Sequence, residues 1–304
     1  MCVFRAICSA LLLTTAALAQ EPVPIIELTD EALSFIELDD GSIADWEELL
    51  GFPAVLALDL TYETTVGTGG FEPEALDFAI WLGYHAATSR LYVAMERVDG
   101  DFVNEYVGEG NMLAHDGAIE VRVDGDRSGG DYAFDADCCE MEDEWKALNN
   151  RQAQSYAAIL GADEQMYIRP AGAAEWTAAP PYASGGGEHR SDGHTVLEFY
   201  VTLFDELIWD SSEESVPTPM PSGPIGSFKS IGLDLIVPDY QNAPGNLHAL
   251  PSLSGQVDSR ASADVFAEAV LIAEDIHAEC FGEDCFESAV RPLGWARIKI
   301  VPRL

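Results

Sequence analysis

Short segments of this chain alternate apolar and polar residues, which is the two-residue period of a β-strand with one buried face. The clearest segments are residues 56–65, 77–84, 91–98, 118–123, 194–204, 230–238 and 295–301. In residues 77–84, for example, Phe78, Ile80 and Leu82 share one face and Trp81 lies on the other. Clusters of Gly, Pro, Asp and Ser separate the segments and indicate turns. The pattern predicts an all-β fold, an antiparallel, jelly-roll-like β-sandwich of roughly eight to ten strands.

Residues 91–98 and 118–123 have the strongest alternation, and we expect them to be neighbouring strands of one half-buried sheet. The second strand and the turn after it are rich in carboxylates: Asp116, Glu120, Asp124, Asp126 and Asp131. Carboxylates are rarely buried without a cation, water or polar ligand. The sequence therefore places a candidate site in this region.

Residues 135–190 lack a clear period, and we predict a long loop and helix insertion there. It would contain a helix over residues 145–160 and a short strand over residues 165–170. Near the start of the chain, residues 20–36 include an extended run suited to an edge strand, and residues 39–46 predict a turn followed by a short helix. No Pro/Ser/Gly linker divides the apolar segments, which predicts one domain over residues 20–304.

The first 19 residues have the pattern of a secretory signal peptide. Arg5 precedes an apolar run that ends in the small-x-small pattern Ala17-Leu18-Ala19. The run is shorter than the roughly 20 residues that span a membrane. We therefore expect cleavage after Ala19, a secreted or periplasmic protein, and no membrane insertion.

The formal net charge is −38, with 53 acidic against 15 basic residues. Such a surface repels nucleic acid and anionic membranes, because both are bound through basic patches. Four cysteines follow the predicted leader: Cys138, Cys139, Cys280 and Cys285. Export permits disulfides, and four cysteines allow three pairings, of which a bridge between Cys280 and Cys285 needs only a tight loop.

Two aromatic residues in the predicted insertion suit carbohydrate binding. Trp176 and Tyr182 lie in a Pro- and Gly-rich stretch with Glu175 and Glu188 nearby. A sugar ring has an apolar face that stacks on aromatic rings and a rim of hydroxyls that bond to carboxylates. The alternative is that both rings only cover the edge of the sandwich.

Asp116 and Glu120 flank the start of one predicted strand. Four residues along a strand place them about 13 Å apart by strand rise, which is wide for a catalytic pair. We therefore expect hydrogen bonding to a ligand, or a structural contact, rather than catalysis. In the following turn, Asp124, Asp126, Ser128 and Asp131 provide oxygens at the spacing of a calcium loop. An acidic hairpin turn without an ion is the alternative.

Several short motifs, taken together and in order, resemble the family 9 carbohydrate-binding modules and their DOMON-like relatives. They are DGSIADW from residue 40, LYVAMERVD from 91, HDGAIEVRVD from 115, LEFYVTLFD from 197, IGLDLIVPD from 231 and WARIKI from 295. The resemblance implies a β-sandwich, extracellular use, non-catalytic sugar recognition and often structural calcium. It matches Asp116 and Glu120 to a pair of family carboxylates.

The sequence departs from the family where sugar-binding members place stacking tryptophans. The position of the first stacking tryptophan is Leu113 in this chain. The second would lie within residues 275–293, which contain no Trp. We therefore predict a secreted, non-catalytic glycan-binding protein that uses Trp176 and Tyr182 instead. Two alternatives remain open: a hydrolase acting on glycans, and a haem-carrying electron-transfer module with ligands among Met95, Met112 and His115.

Overall fold

The computed structural model describes residues 21–62, 70, 72, 75–132, 151, 153–170, 174–190, 192–222 and 227–273. The predicted signal peptide, the four later cysteines and the predicted last strand lie outside these residues. Within the described ranges, no helix has the length and apolar character needed to cross a bilayer.

The described residues form fifteen strands and two short α-helices. The helices are α1 (Asp30–Leu33) and α2 (Ala44–Leu50). The strands are β1 (Val23–Glu27), β2 (Val55–Leu56), β3 (Leu76–His85), β4 (Arg90–Asp99), β5 (Ala118–Asp124), β6 (Gln154–Leu160), β7 (Met166–Pro170), β8 (Ala183–His189), β9 (His194–Thr202), β10 (Phe204–Glu206), β11 (Val216–Pro217), β12 (Phe228–Ile236), β13 (Asp239–Tyr240), β14 (Leu247–Ala249) and β15 (Ala267–Ile272).

One eleven-stranded sheet contains most of these strands, in the order β7-β6-β5-β12-β15-β1-β3-β4-β9-β8, with β2 paired to β3. The sheet folds over a single core, so that β7-β6-β5-β12-β15 form one layer and β3-β4-β9-β8 the other. Strand β1 joins the layers, because it pairs in parallel with both β15 and β3. The predicted all-β sandwich is confirmed.

The main core consists of the inward residues of both layers. In β3 these are Phe78, Ile80 and Leu82, as the alternation predicts, and Ile119 and Val121 of β5 face them from the other layer. Burying side chains of this size contributes roughly 1.5–3 kcal/mol each. Inward and outward faces are therefore set by the sequence pattern.

The pairing predicted for residues 91–98 and 118–123 is wrong. Strand β4 pairs with β3 and β9, whereas β5 pairs with β12 and β6 in the opposite layer. The connection between β4 and β5 crosses from one layer to the other. Alternation fixes which face of a strand is buried, but it does not identify the neighbouring strand.

The region predicted as an insertion contributes three strands to the sheet. Residues 154–160, expected to be helical, form β6, and β7 and β8 follow as the two ends of the sheet. All seven residues of β6 are buried. A strand covered on both faces shows no alternation, which makes it resemble a buried helix in sequence.

Two smaller expectations also change. The extended run near the start of the chain forms β1, an internal strand rather than an edge strand. Residues 56–65 were expected to form one strand. In the described part β2 (Val55–Leu56) is followed by a 3₁₀ turn at Ala57–Asp59, and Thr61 then forms an isolated antiparallel bridge with Ser252. The helix expected after the turn at residues 39–46 is present as α2.

A segment that we call the strap, residues 28–51, crosses the outer face of β3, β4 and β9. It carries α1 and α2, and its apolar residues form a second cluster outside the sheet. The strap approaches the sheet closely at glycines: Leu28 packs on Gly83, and Leu38 and Asp39 pack on Gly186. These glycines allow the backbone of the strap to lie against the strands.

We expect Gly186→Ala to destabilise the protein by about 1–3 kcal/mol, the usual cost of overpacking. A Cβ atom at this position would lie 2.7 Å from the Asp39 Cβ and 2.7 Å from the Leu38 carbonyl oxygen. Urea unfolding provides the measurement. Gly70→Ala is the control, because a Cβ at exposed Gly70 meets no atom within 4 Å. Equal stability of the two variants would contradict the close packing of the strap.

Candidate functional site

The aromatic residues predicted for sugar binding lie together between β7 and β8. Trp176 is in a 3₁₀ helix, Glu175–Ala178, and Tyr182 follows a cis peptide between Pro180 and Pro181. Their ring centroids are 4.7 Å apart with planes at 72°. Both rings pack on buried Phe204, and both remain half-buried. The structure therefore places Trp176 and Tyr182 at one surface position, which we call the aromatic corner.

The aromatic corner includes a contact that the sequence did not indicate. The Trp176 indole N–H donates to the backbone carbonyl of Trp209, at 3.0 Å. Trp209 is itself half-buried. This bond fixes the orientation of the Trp176 ring on the sheet, and the neighbouring Glu175 is exposed beside it. In the sequence, Phe204 and Trp209 both lie in the segment FDELIWD, residues 204–210. Only the fold brings this segment next to Trp176.

Asp116 lies in a different part of the molecule, inside a buried ion network. Its side chain is fully buried, and its oxygens accept from the backbone N–H groups of Val103 (2.6 Å) and Tyr240 (2.7 Å). Arg97, also fully buried, lies 3.0 Å from Asp116 and donates to Asp99 at 2.5 Å. Burial raises the pKa of Asp116 to about 7, with Arg97 and the two N–H donors acting in the opposite direction.

The Arg97 guanidinium provides the positive charge for a group of three buried acids. Oxygens of Asp99, Asp116 and Asp239 lie within 4.8 Å of one another, and the Arg97 guanidinium bonds to two of the three residues. It also donates to the carbonyls of Asp116 and Pro238. These contacts join β4, the start of β5 and the end of β12 across the sandwich. The arrangement is suited to holding the layers together.

Glu120 lies on the outer face of β5 in a second polar cluster. Its carboxylate forms a two-point ion pair with Arg122 (2.8 and 2.9 Å) and accepts from the Ser155 hydroxyl at 2.5 Å. Arg122 also donates to Ser259, in the segment that covers this face. The Glu120 side chain is only 7% exposed. Its hydrogen-bonding capacity is therefore largely used within the protein.

The four predicted ligand-binding residues thus occupy three places. Trp176 and Tyr182 are in contact, whereas Asp116 and Glu120 have no hydrogen-bonding partner in common with each other or with the aromatic pair. Sequence spacing had suggested a shared role for the two acids. They are separated because Asp116 precedes β5 and is outside its regular alternation: its carboxylate points into the Arg97 network, whereas Glu120 points outward from the strand.

The turn predicted to bind calcium is closed by its own hydrogen bonds. Asp124 accepts from the backbone N–H groups of Ser128 (3.3 Å) and Gly129 (2.8 Å), and Asp126 accepts from Ser128 (3.0 Å). Asp131 is exposed in a bridge to Ser262. Calcium takes six to eight oxygen ligands, which include backbone carbonyls and waters as well as carboxylates. The Asp124 oxygens are partly used by backbone donors, Asp126 and Asp131 offer further carboxylates, and calcium binding at this turn stays a prediction.

The three residues considered for haem lie apart. Met95 is in the main core between the layers, and Met112 is in a separate cluster around Tyr106. His115 accepts the backbone N–H of Glu105 through Nδ1, at 3.2 Å, and its ring packs against Tyr106. Met95 is therefore separated by the sheet from the other two residues, and the three do not line a common haem pocket.

Comparison of the fold with solved structures gives strong similarities despite low identity. A family 9 carbohydrate-binding module from Caldicellulosiruptor kristjanssonii in complex with glucose aligns with a TM-score of 0.50 at 10% identity, covering 83% of this chain and 97% of that one. This chain has the fold of a family 9 carbohydrate-binding module. A structure of a family 9 module from the same organism with cellotriose aligns over 85% of this chain and 97% of that one, at 10% identity and a TM-score of 0.49.

Similarity to the family 9 fold is visible in the structure and not in the sequence as a whole. No protein-family model matches the chain, and no curated protein matches it significantly. At 10% identity the likeness establishes the fold alone. The residues that bind a ligand must therefore be argued from their own geometry.

Proposed function

We propose that this protein binds carbohydrate without catalysing a reaction, and that the aromatic corner is the binding surface. The observation that carries the proposal is the half-buried pair Trp176 and Tyr182, held against Phe204 with rings at 72°. The apolar face of a pyranose can stack on the exposed part of an aromatic ring, while its hydroxyls bond to nearby polar groups. The export predicted from the first 19 residues would bring the protein to extracellular glycans.

The position of the rings supports a binding role. The Trp176 indole N–H is bonded to Trp209, and Tyr182 lies in the segment that leads from the cis peptide into β8. Anchored rings lose little conformational entropy when a ligand binds. Exposed Glu175 provides a carboxylate next to the rings for sugar hydroxyls. The binding energy would come from stacking, with Glu175 contributing orientation.

Asp116 and Glu120 take structural roles in this proposal. Asp116 is bonded to Arg97 and to two backbone N–H groups, and Glu120 is paired with Arg122. Removing either carboxylate from its partners to bind a sugar would deprive a buried arginine of one of its ion-pair contacts. The calcium turn likewise has no part in the proposed binding.

The proposal is tested by titrating the purified protein with glucose, cellobiose, cellotriose and a wider glycan panel while following tryptophan fluorescence. We expect quenching or a blue shift with at least one glycan, and no release of reducing sugar on prolonged incubation. Glucose is included because a structural neighbour was solved in complex with it, and the cello-oligosaccharides extend the series. Release of reducing sugar would show an enzyme instead, and a Soret absorption band would show a haem protein.

A further inference from the structure

A buried carboxylic acid lies under the strap and does not belong to the proposed binding site. Glu198, on the outer face of β9, is fully buried. Its Oε1 accepts the Trp46 indole N–H at 2.8 Å, and its Oε2 is buried with no hydrogen-bond partner among the residues that the structure describes. Trp46 itself is fully buried in α2 of the strap. This buried contact joins the strap to the sheet, together with the more exposed contacts of Arg190 with the Gly41 carbonyl and of His85 with Asp30.

The position of Glu198 follows from a row of small residues across three strands. Across neighbouring strands, Trp81 lies opposite Ala94, Ala94 opposite Glu198, and Glu198 opposite Gly186. The small Ala94 and Gly186 leave room for Trp46 and for the backbone of residues 38–39. The strap thus fills a depression in the outer face, and the Glu198 carboxyl lies at its floor.

Most of the charged side chains near Glu198, on the strap and on strands β4 and β8, are acidic. The strap brings Asp40 and Asp45 close enough to disfavour a second negative charge. On the same outer face, one row along, Glu96 of β4 is 3.4 Å from His194, and Glu188 of β8 is 3.7 Å from Arg190. Neither of these cations is bonded to Glu198. Burial raises the pKa of Glu198 to about 8; the bond from Trp46 acts in the opposite direction, and the negative charges of Asp45 and Asp40 add to the rise.

We propose that Glu198 is the latch of a pH-dependent strap: the neutral carboxyl holds residues 28–51 closed, and its ionisation releases them from the outer face of β3, β4 and β9. The closed form buries Trp46 of the strap and Trp81 of β3 between the strap and the sheet. Ionised Glu198 would be a buried charge without a cation, facing Asp40 and Asp45. Opening the strap gives this charge access to water and exposes both indoles.

The sign of the effect follows from proton binding. The closed form holds the proton up to pH of about 8, whereas Glu198 in the open form titrates near its ordinary value of 4.5. The closed form therefore binds more protons between these values, and its stability falls as the pH rises through that window. One proton changes the opening constant by at most about tenfold for each pH unit.

Hydrogen exchange followed by mass spectrometry tests the proposal on the full chain. We expect peptides from residues 38–50 to lose protection between pH 5 and pH 8, by up to about tenfold per unit after correction for intrinsic exchange rates. Peptides from residues 91–98, in the core strand β4, should keep their protection. An equal loss of protection in both sets of peptides would mean global unfolding and would contradict the proposal.

Glu198→Gln is the decisive variant, because an amide keeps an acceptor for the Trp46 N–H and cannot ionise. Its strap should open to the same extent at pH 5 and pH 8. Glu96→Gln is the matched control on the same outer face, with a side chain that is 20% exposed, and it should retain the wild-type response. A pH response of the strap that persists in Glu198→Gln would refute the proposal.

A measurement on the wild-type protein removes any dependence on how the variants fold. In protein labelled with ¹³C at glutamate carboxyl groups, one resonance should titrate near pH 8, far above the exposed glutamates. The loss of strap protection should level off near the same pH, where Glu198 also ionises in the closed form. A spectrum in which every glutamate titrates below pH 6 would also overturn the proposal. Neither outcome depends on sugar binding at the aromatic corner.

Discussion

Replacing Arg97 with methionine is expected to destabilise the protein by about 3–5 kcal/mol, the cost of removing one partner from a buried ion pair. Arg97 is fully buried and donates to Asp99, Asp116 and two backbone carbonyls. Methionine fills a similar volume but leaves two buried carboxylates without a cation. Urea unfolding monitored by circular dichroism gives the free energy of unfolding directly.

Arg127→Met is the matched control for this experiment. Arg127 pairs with Glu268 at 2.6 Å, but the two side chains are 45% and 33% exposed. Exposed ion pairs are worth about 0–1 kcal/mol, so this variant should remain close to wild type. If Arg97→Met were as stable as Arg127→Met, the Arg97 network would not join the layers as described. A double variant, Arg97→Met with Asp116→Asn, should recover part of the loss because it removes one unpaired charge.

Trp176→Ala is expected to weaken glycan binding by at least about 30-fold, since a central aromatic residue at a binding surface is typically worth 2 kcal/mol or more. The change removes the larger ring of the aromatic corner and leaves the Trp209 carbonyl without its donor. Isothermal titration calorimetry with whichever glycan binds the wild-type protein provides the measurement. Tyr182→Ala should also weaken binding, with a smaller effect because the ring is smaller.

The control for the aromatic corner is Phe228→Ala. Phe228 is 72% exposed on β12, in the layer away from β8 and β9, so its removal tests whether any exposed ring supports binding. We expect unchanged affinity. Unaltered binding by Trp176→Ala, in a protein whose circular dichroism spectrum matches wild type, would exclude the aromatic corner and direct attention to the Glu120 face.

The alternation of apolar and polar residues was sufficient to predict the all-β class and the inward faces of individual strands. Phe78, Ile80 and Leu82 face the core as expected, and so do Leu197 and Phe199 of β9. This information is local, since it depends only on the geometry of one strand. The same local signal failed for β6, because a strand buried on both faces carries no alternation.

The sequence by itself also determined the acidic surface and the presence of aromatic residues near a turn at 176–182. Only the tertiary structure decided what the acids do: Asp116 is bonded to Arg97, Glu120 to Arg122, and Glu198 lies under the strap. The physical reason is that ion pairs and ring contacts here join residues on different strands and layers. Their partners depend on strand order and register, which a short sequence period does not encode.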